Sequence, residues 1–394
     1  MVFFVKALPQ KAILCYHVGH RCSDFIKKML PVLSVLLFLL LLGVVVVAHE
    51  LGHLVIARMN GVFCEAFSFG FGNVLFKKKD KRGTEWRISL FPLGGYVKML
   101  GDADASSVRE VIPDGYTEED MERMSAHRKK PWQRLLIAAG GPFANFILAI
   151  FVFFSLALVN GMPEYDNSII VTSEQSIAYK SGLRTGDTIV KANGKDITKF
   201  TDIAKQVASS SGKTLELEIN RNSVTEEVKV NMVNEDGSAA THIGISPKGF
   251  KYTKVSLMTA LTSSVKITYR LACDNIKGMF KVATGAVSSK NVGGIISIYK
   301  VAKESAESGF VSFITMIATI SVILGAVNLL PIPVLDGGGI VVSAIEWVVG
   351  RPLNQRVINI IFAIGLIAVV GLMVLGIWND LEKMRFFSWL KGVF

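Results

Sequence analysis

Residues 31–57 read PVLSVLLFLLLLGVVVVAHELGHLVIA, an apolar run that carries His49, Glu50 and His53 near its end and stops at Arg58. A helix of that length crosses a hydrocarbon layer of about 30 Å at about 1.5 Å per residue. Ionisable groups at that depth cost roughly 2.5–3.5 kcal/mol each, so a span seldom carries them without a function. Two imidazoles four residues apart lie one turn apart on one helical face and can grip a single ion. Glu50 projects beside them, where a carboxylate can take a proton from water. His49 stands 17 residues beyond Val32, about 25 Å along the axis, which puts the ion inside the membrane near its cytoplasmic edge.

Outward from that span, further apolar runs cover Leu135–Val159, Val311–Leu330 and Val357–Ile377. The expectation is a membrane α-helical protein with four transmembrane helices. Its 51% hydrophobic content and mean hydropathy of +0.44 sit beside 19% charged residues, which calls for a sizeable water-exposed part. The net charge of +11 does not point to nucleic acid, because the basic residues cluster beside the apolar runs. Charges there set topology and touch anionic lipid headgroups, so membrane lipid is an expected partner. The four cysteines, Cys15, Cys22, Cys64 and Cys273, form no C-x-x-C pair, which argues against a disulfide framework or redox chemistry. Cys15, His17, His20 and Cys22 form a compact cluster whose spacing matches no common zinc pattern.

Residues 1–28 read as an N-terminal extension, and Met29 is an alternative point at which translation could begin. A signal peptide is a poor reading, since the apolar run is too long and no small-residue cleavage site follows it. Lys77, Lys78, Lys79, Lys81, Arg82, Lys129, Lys130 and Arg134 lie between the first two spans, and Arg351 and Arg356 before the fourth. By the positive-inside rule these loops are cytoplasmic, and residues 160–310 lie on the far side. The basic N-terminus and Lys383, Arg385 and Lys391 pull the other way.

The stretch 164–250 changes character. Short β-rich runs, Ser168–Thr172, Thr188–Ala192, Leu215–Asn220, Glu227–Met232 and His242–Ile245, alternate with polar turns. Asn193-Gly194 is a hairpin signal, because both residues tolerate positive φ. This predicts a small α/β domain inserted between spans two and three. Residues 251–310 follow as a linker region, whose segment 253–286 has helical periodicity with interspersed Lys and Arg. It reads equally as an amphipathic helix on the membrane or as a solvated linker helix.

Catalytic zinc usually takes three protein ligands, so two histidines leave one to find. The best candidate is Asp336, in the stretch from Asn328 through Pro331 and Pro333 to Gly337-Gly338 just beyond the third span. Prolines there break the helix and let the backbone turn toward a cavity, although an aspartate before glycine is also a common turn residue.

Together, His49-Glu-Leu-Gly-His53 and the Asn328 to Gly337 stretch resemble the site-two protease family of intramembrane metalloproteases, peptidase M50, in its bacterial branch. Phe67 to Gly72, Trp86 to Lys98, Gly141-Pro-Phe-Ala-Asn145 and Arg356 to Asp380 extend the likeness, which covers all but residues 1–28. The resemblance implies zinc held by His49, His53 and Asp336, with Glu50 as general base. It implies that Asn145 and Asn328 hold the substrate backbone or stabilise the oxyanion, against the plainer role of hydrogen bonds between spans. Residues 29–160 would hold the first two transmembrane helices, with a membrane-associated β-hairpin region at about 65–98 whose exposed edge could pair with an unwound substrate. Residues 311–394 would hold the last two helices. Residues 164–250 resemble a PDZ domain through Ser181 to Gly194, including Gly182, Leu183, Gly186 and Asp187, and would either filter bulky substrates or capture chain ends. Val292-Gly-Gly-Ile295 and Gly339 depart from many relatives, which carry Gly-Pro and His there. The implied substrates are single-span membrane proteins, such as anti-sigma factors already trimmed outside, and remnant signal peptides. The implied place is the bacterial inner membrane, with the active site near the cytoplasmic face and the PDZ domain periplasmic. A PDZ-bearing scaffold with a structural or vestigial zinc site is the rival reading, and Glu50 counts against it; a metal transporter fits four spans poorly.

Overall fold

The computed structural model describes residues 20–102, 112–234, 237–286, 288 and 293–384. The cluster from Cys15 to Cys22 and the question of Met1 or Met29 fall outside the residues whose side chains are described. The chain divides into two compact units, Met1–Phe153 with Ser264–Phe394, and Phe154–Ser263.

Among the described residues of the first unit, four stretches are long and apolar enough to cross a membrane: Val32–Met59, Pro131–Val159, Phe310–Asn328 and Arg356–Lys383. The first is part of α1 (His20–Met59), which starts well before Pro31. It ends where Gly61 turns to φ 69°. The Val62 N–H then reaches the Ala57 carbonyl at 3.0 Å and the Gly61 N–H reaches Arg58 at 3.2 Å. Only a residue free to adopt that φ closes a helix in this way.

Two long strands follow, β1 (Cys64–Lys79) and β2 (Glu85–Met99), paired as a hairpin. Their register shows that each strand bends back on itself. Ala66 to Phe69 stand opposite Lys98 to Gly95 on one side and opposite Glu85 to Ile88 on the other, while Phe76 to Lys79 stand opposite Ile88 to Glu85. Two strands thus make a sheet four segments wide. The bends need Gly70 at φ 90° and Gly72 at φ 84°. Arg58 ties the hairpin to the end of α1 through Asp80 at 2.5 Å and Thr84 at 2.8 Å. Burial works against ionising Asp80, but hydrogen bonds from Arg58, Trp86 and the Arg82 N–H outweigh it and hold the carboxyl well below the usual carboxylate range.

A short capped helix, α2 (Glu118–Met124), precedes α3 (Pro131–Val159). α3 crosses α1 at Gly52 and Gly140 with backbone against backbone. A Cβ on Gly52 would lie 2.1 Å from the Gly140 oxygen, and one on Gly140 would lie 2.7 Å from the Gly52 oxygen. Small residues are what let membrane helices approach this closely. The rest of the chain forms α6 (Leu257–Ala283), which begins within the second unit, then α7 (Ile295–Glu307), α8 (Phe310–Asn328), α9 (Asp336–Val349) and α10 (Gln355–Lys383). α7 packs against α1 and α8 around Phe38, Leu41, Val45, Ala302, Phe313 and Ile317. Asp380 of α10 accepts hydrogen bonds from the Ser297 backbone N–H at 3.0 Å and from the Ser297 hydroxyl at the start of α7.

α9 occupies a stretch that the sequence leaves as a loop before the fourth span. The glycines at 337–339 and the prolines at 331 and 333 hide its helical period, and what holds it is tertiary. The Glu346 carboxylate is buried and pairs with Arg134 of α3, while its other oxygen accepts the Leu353 N–H at 2.8 Å. Gly350 at φ 74° ends the helix.

The second unit contains a four-stranded sheet ordered β6 (Lys195–Asp196), β5 (Thr188–Ala192), β7 (Thr214–Arg221) and β8 (Val224–Asn231), with helices α4 (Ile177–Lys180) and α5 (Phe200–Ser209). Two small pairs accompany it, β3 (Met162–Tyr165) with β10 (Phe250–Thr253) and β4 (Ile169–Val171) with β9 (Ile245–Pro247). Asn193 at φ 50° and Gly194 at φ 74° make the tight turn that their sequence predicts. Ile169, Leu183, Ile189, Ile203, Leu215, Ile219, Val230 and Met232 fill the core.

Candidate metal centre

Helix spacing puts His49 and His53 ring against ring on α1, with Nε2 atoms 3.3 Å apart. The third member arrives from the other end of the chain. Asp336 is the first residue of α9, reached after α8 ends at Asn328 and the backbone turns through the prolines. Gly337 and Gly338 make that turn possible: a Cβ on either would fall 2.0 Å from the Leu330 oxygen or 2.4 Å from the Pro333 Cα. The result sets Asp336 Oδ2 3.1 Å from His49 Nε2 and Asp336 Oδ1 3.3 Å from His53 Nε2. Among the described residues these three form the one cluster of His, Cys, Asp and Glu able to share an ion.

Proton bookkeeping explains what such a cluster wants. His53 Nδ1 lies 2.8 Å from the Ile137 carbonyl, which can only accept, so Nδ1 carries the hydrogen and Nε2 turns a lone pair inward. Asp336 Oδ2 is buried and has no hydrogen-bond partner. His53 Nε2 and the Asp336 carboxylate are thus two acceptors 3.3 Å apart, which repel unless a cation lies between them. A tetrahedral ion with bonds of about 2.0–2.1 Å has ligand-to-ligand edges of about 3.3 Å, so the donor set fits.

α3 supplies the floor. A Cβ on Gly141 would stand 2.3 Å from His53 Nε2 and 2.7 Å from His49 Nε2, so only glycine leaves the rings where they are. On the opposite side Gly95 of β2 approaches Glu50, since a side chain at Gly95 would meet Glu50 Cγ at 3.2 Å. The two asparagines named by sequence have different surroundings. Asn328 is half-buried, with its amide nitrogen 3.4 Å from His49 Nε2. Asn145 is wholly buried, its amide 3.1 Å from His49 Nδ1 and 3.3 Å from Ser321 Oγ. Ile137 and Ser321 carry no mark in the sequence, because one acts through a backbone carbonyl and the other sits unremarkably in an apolar span.

Gly182, Leu183, Gly186 and Asp187 belong to the second unit, and they shape one turn of it. Gly182 and Gly186 hold φ of 94° and 103°, and Leu183 is fully buried in the core. Asp187 is buried and takes both prongs of Arg221, at 2.8 Å and 2.7 Å, together with the Arg184 N–H at 2.7 Å.

A family model described as Peptidase family M50 matches residues 37–372. Metalloprotease MmpA of Caulobacter vibrioides is 32% identical over 386 residues, covering 90% of this chain and 97% of its own. The regulator of sigma-E protease RseP of Escherichia coli is 30% identical over 452 residues, covering 88% of this chain and 98% of its own. A relative from Agrobacterium fabrum, 32% identical over 88% of this chain and 95% of its own, carries the words zinc metalloprotease in its name. Among solved structures, the match to the PDZ domain of an SdrC-like protein from Listeria monocytogenes covers 22% of this chain and 86% of that one at 18% identity, with a TM-score of 0.17.

Proposed function

This chain belongs to peptidase family M50, and on that premise we propose that it is an intramembrane zinc endopeptidase that cuts transmembrane segments of single-span membrane proteins. The observation that carries the reading is the convergence of His49 Nε2, His53 Nε2 and the unpartnered Asp336 Oδ2 within one site. These residues would hold the zinc. When bound, zinc supplies a positive charge that polarises a carbonyl and makes a nearby water more acidic. Glu50 would take the proton of the attacking water at its carboxylate and deliver it to the leaving amine. Asn328 would donate its amide N–H to the oxygen that gains charge at the scissile carbonyl. A substrate helix keeps its carbonyls bonded internally and must unwind first, so segments with Gly, Pro or polar residues would be preferred. The β2 edge near Gly95 is where an unwound strand would pair.

The hairpin supports placement in the cytoplasmic leaflet of a bacterial inner membrane. Phe71, Val74, Leu75, Phe76, Ile88, Leu90 and Phe91 are exposed and apolar. The change to basic residues falls at one level across the sheet, because Phe76 stands opposite Ile88, and Lys77 opposite Arg87. That level suits the headgroup boundary and contact with anionic lipid. Arg58, tied to the same end of the hairpin, lies nine residues beyond His49, so the metal would sit about 14 Å deeper. The basic loops then leave the second unit, read as a PDZ domain, on the periplasmic side as a filter for bulky substrates.

The test is to purify the full chain, count zinc and follow a model single-span substrate with wild type and Glu50→Gln. The variant should keep its zinc and lose cleavage. Equal cleavage by both would defeat the protease reading and favour a scaffold.

A further inference from the structure

Asn145 and Ser321 are both 0% exposed, out of reach of a substrate chain in this structure. Their hydrogen bonds form a small closed set. The Asn145 amide lies 3.1 Å from His49 Nδ1 and 3.3 Å from Ser321 Oγ, and Ser321 Oγ lies 2.9 Å from the carbonyl oxygen of Asn145. The two ends of an amide are alike in outline, so counting protons decides which way it faces.

Suppose the amide nitrogen faces His49. It donates to Nδ1, and the single Ser321 proton must serve both the side-chain oxygen and the backbone carbonyl. His49 Nε2 then carries the ring hydrogen, yet Asp336 Oδ2, 3.1 Å away, has no hydrogen bond. Turned over, each proton finds one acceptor. His49 Nδ1–H donates to Asn145 Oδ1, Asn145 Nδ2–H donates to Ser321 Oγ, and the Ser321 hydroxyl donates to the Asn145 carbonyl.

We infer that Asn145, anchored by Ser321, is a positioning residue that fixes His49 as its Nδ1–H tautomer and turns the Nε2 lone pair toward the metal. Its partner is an imidazole, not a peptide. The inference rests on the zinc site proposed above. It also gives the two histidines matching anchors, the Ile137 carbonyl for His53 and an amide oxygen for His49, in the manner of outer partners that orient metal-bound imidazoles.

The test uses purified full-length protein, with zinc affinity measured by chelator competition alongside kcat and KM. Asn145→Asp keeps the acceptor and loses the donor, so it should hold zinc within about threefold of wild type and still cleave. Asn145→Leu, of similar volume, should weaken zinc by about 10–100-fold, with turnover restored by excess zinc. Ser321→Ala should shift zinc affinity in the same direction by less. The opposite pattern, with zinc affinity unchanged in both Asn145 variants and turnover lost in Asn145→Asp, would assign Asn145 to the substrate and overturn the inference. Nitrogen-15 spectra of histidine-labelled, metal-free wild type, followed to a pH at which the His49 ring is neutral, give an answer independent of zinc and of any variant's folding. A His49 protonated at Nδ1 supports the inference and one protonated at Nε2 refutes it. If wild type binds no zinc, the site reading fails, and the spectra still decide the tautomer.

Discussion

Replacing Gly141 by alanine separates the needs of the helix from the needs of the site. An added Cβ would stand 2.3 Å from His53 Nε2 and 2.7 Å from His49 Nε2. Comfortable contact begins near about 3.5 Å, so His53 would be pushed by about 1 Å. Ligand distances in a metal site tolerate about 0.2 Å, so a displaced His53 no longer qualifies as a ligand. The floor cannot yield instead, because the neighbouring Gly140 is already pressed against the Gly52 backbone. A misplacement of that size costs about 100-fold in cleavage, or about 2.7 kcal/mol of barrier. Helix propensity pushes the other way, since alanine is favoured over glycine within a helix by up to about 1 kcal/mol. Gly141→Ala should therefore lose zinc and activity yet unfold at about the temperature of metal-free wild type. Gly371→Ala is the control: it places a methyl group where nothing lies within 4 Å, and it should leave zinc and cleavage unchanged. The assays are zinc per chain, cleavage of a single-span substrate and thermal unfolding, run in parallel. The reasoning fails if Gly141→Ala binds zinc as wild type does and cleaves within about threefold of it.

Two further outcomes follow from ion pairs away from the metal. Asp187→Asn strips the charge that faces Arg221 inside the second unit. Arg221 is part-exposed and keeps Glu226 and the Gly182 carbonyl, so the loss is that of charge-assisted hydrogen bonds, about 1.5–3 kcal/mol. Thermal unfolding should show that loss, and a shift of only a degree or two would refute it. Asp80 has a folded-state pKa below its unfolded value, so the stability it contributes is complete above about pH 4 and drains away as pH falls further. Protection factors across residues 64–99, with the intrinsic pH dependence of amide exchange divided out, should stay level from neutral pH to about pH 4 and fall below it, whereas Asp80→Asn should show lower protection throughout with no such step.

The four long apolar helices were legible because the length and apolar composition that a lipid layer demands are displayed directly by a linear sequence. The His49 and His53 pair was legible for a similar reason, as helix spacing alone puts them on one face. Asp336 could be named but not located, since its position depends on Gly337 and Gly338 fitting against the Leu330 to Pro333 backbone. α9 was missed because its anchors, Arg134 and the Leu353 N–H, are distant or backbone groups. The doubling back of the hairpin was missed as well. Alternation in Trp86, Ile88 and Leu90 announces strands, but two strands with glycine bends can pair in more than one register, and only three-dimensional packing selects among them. The Ile137 carbonyl that orients His53 was invisible, since every residue has one.

The crossing of α1 and α3 carries a consequence for where such a protein can work. With Gly52 and Gly140 touching through their main chains, the two helices tilt as one body and cannot slide past each other. Bilayers that differ in thickness by a few ångströms force helices to tilt or shift. Gly141 follows Gly140 directly and lies under both imidazoles, so a change in bilayer thickness would carry His49, His53 and their floor together.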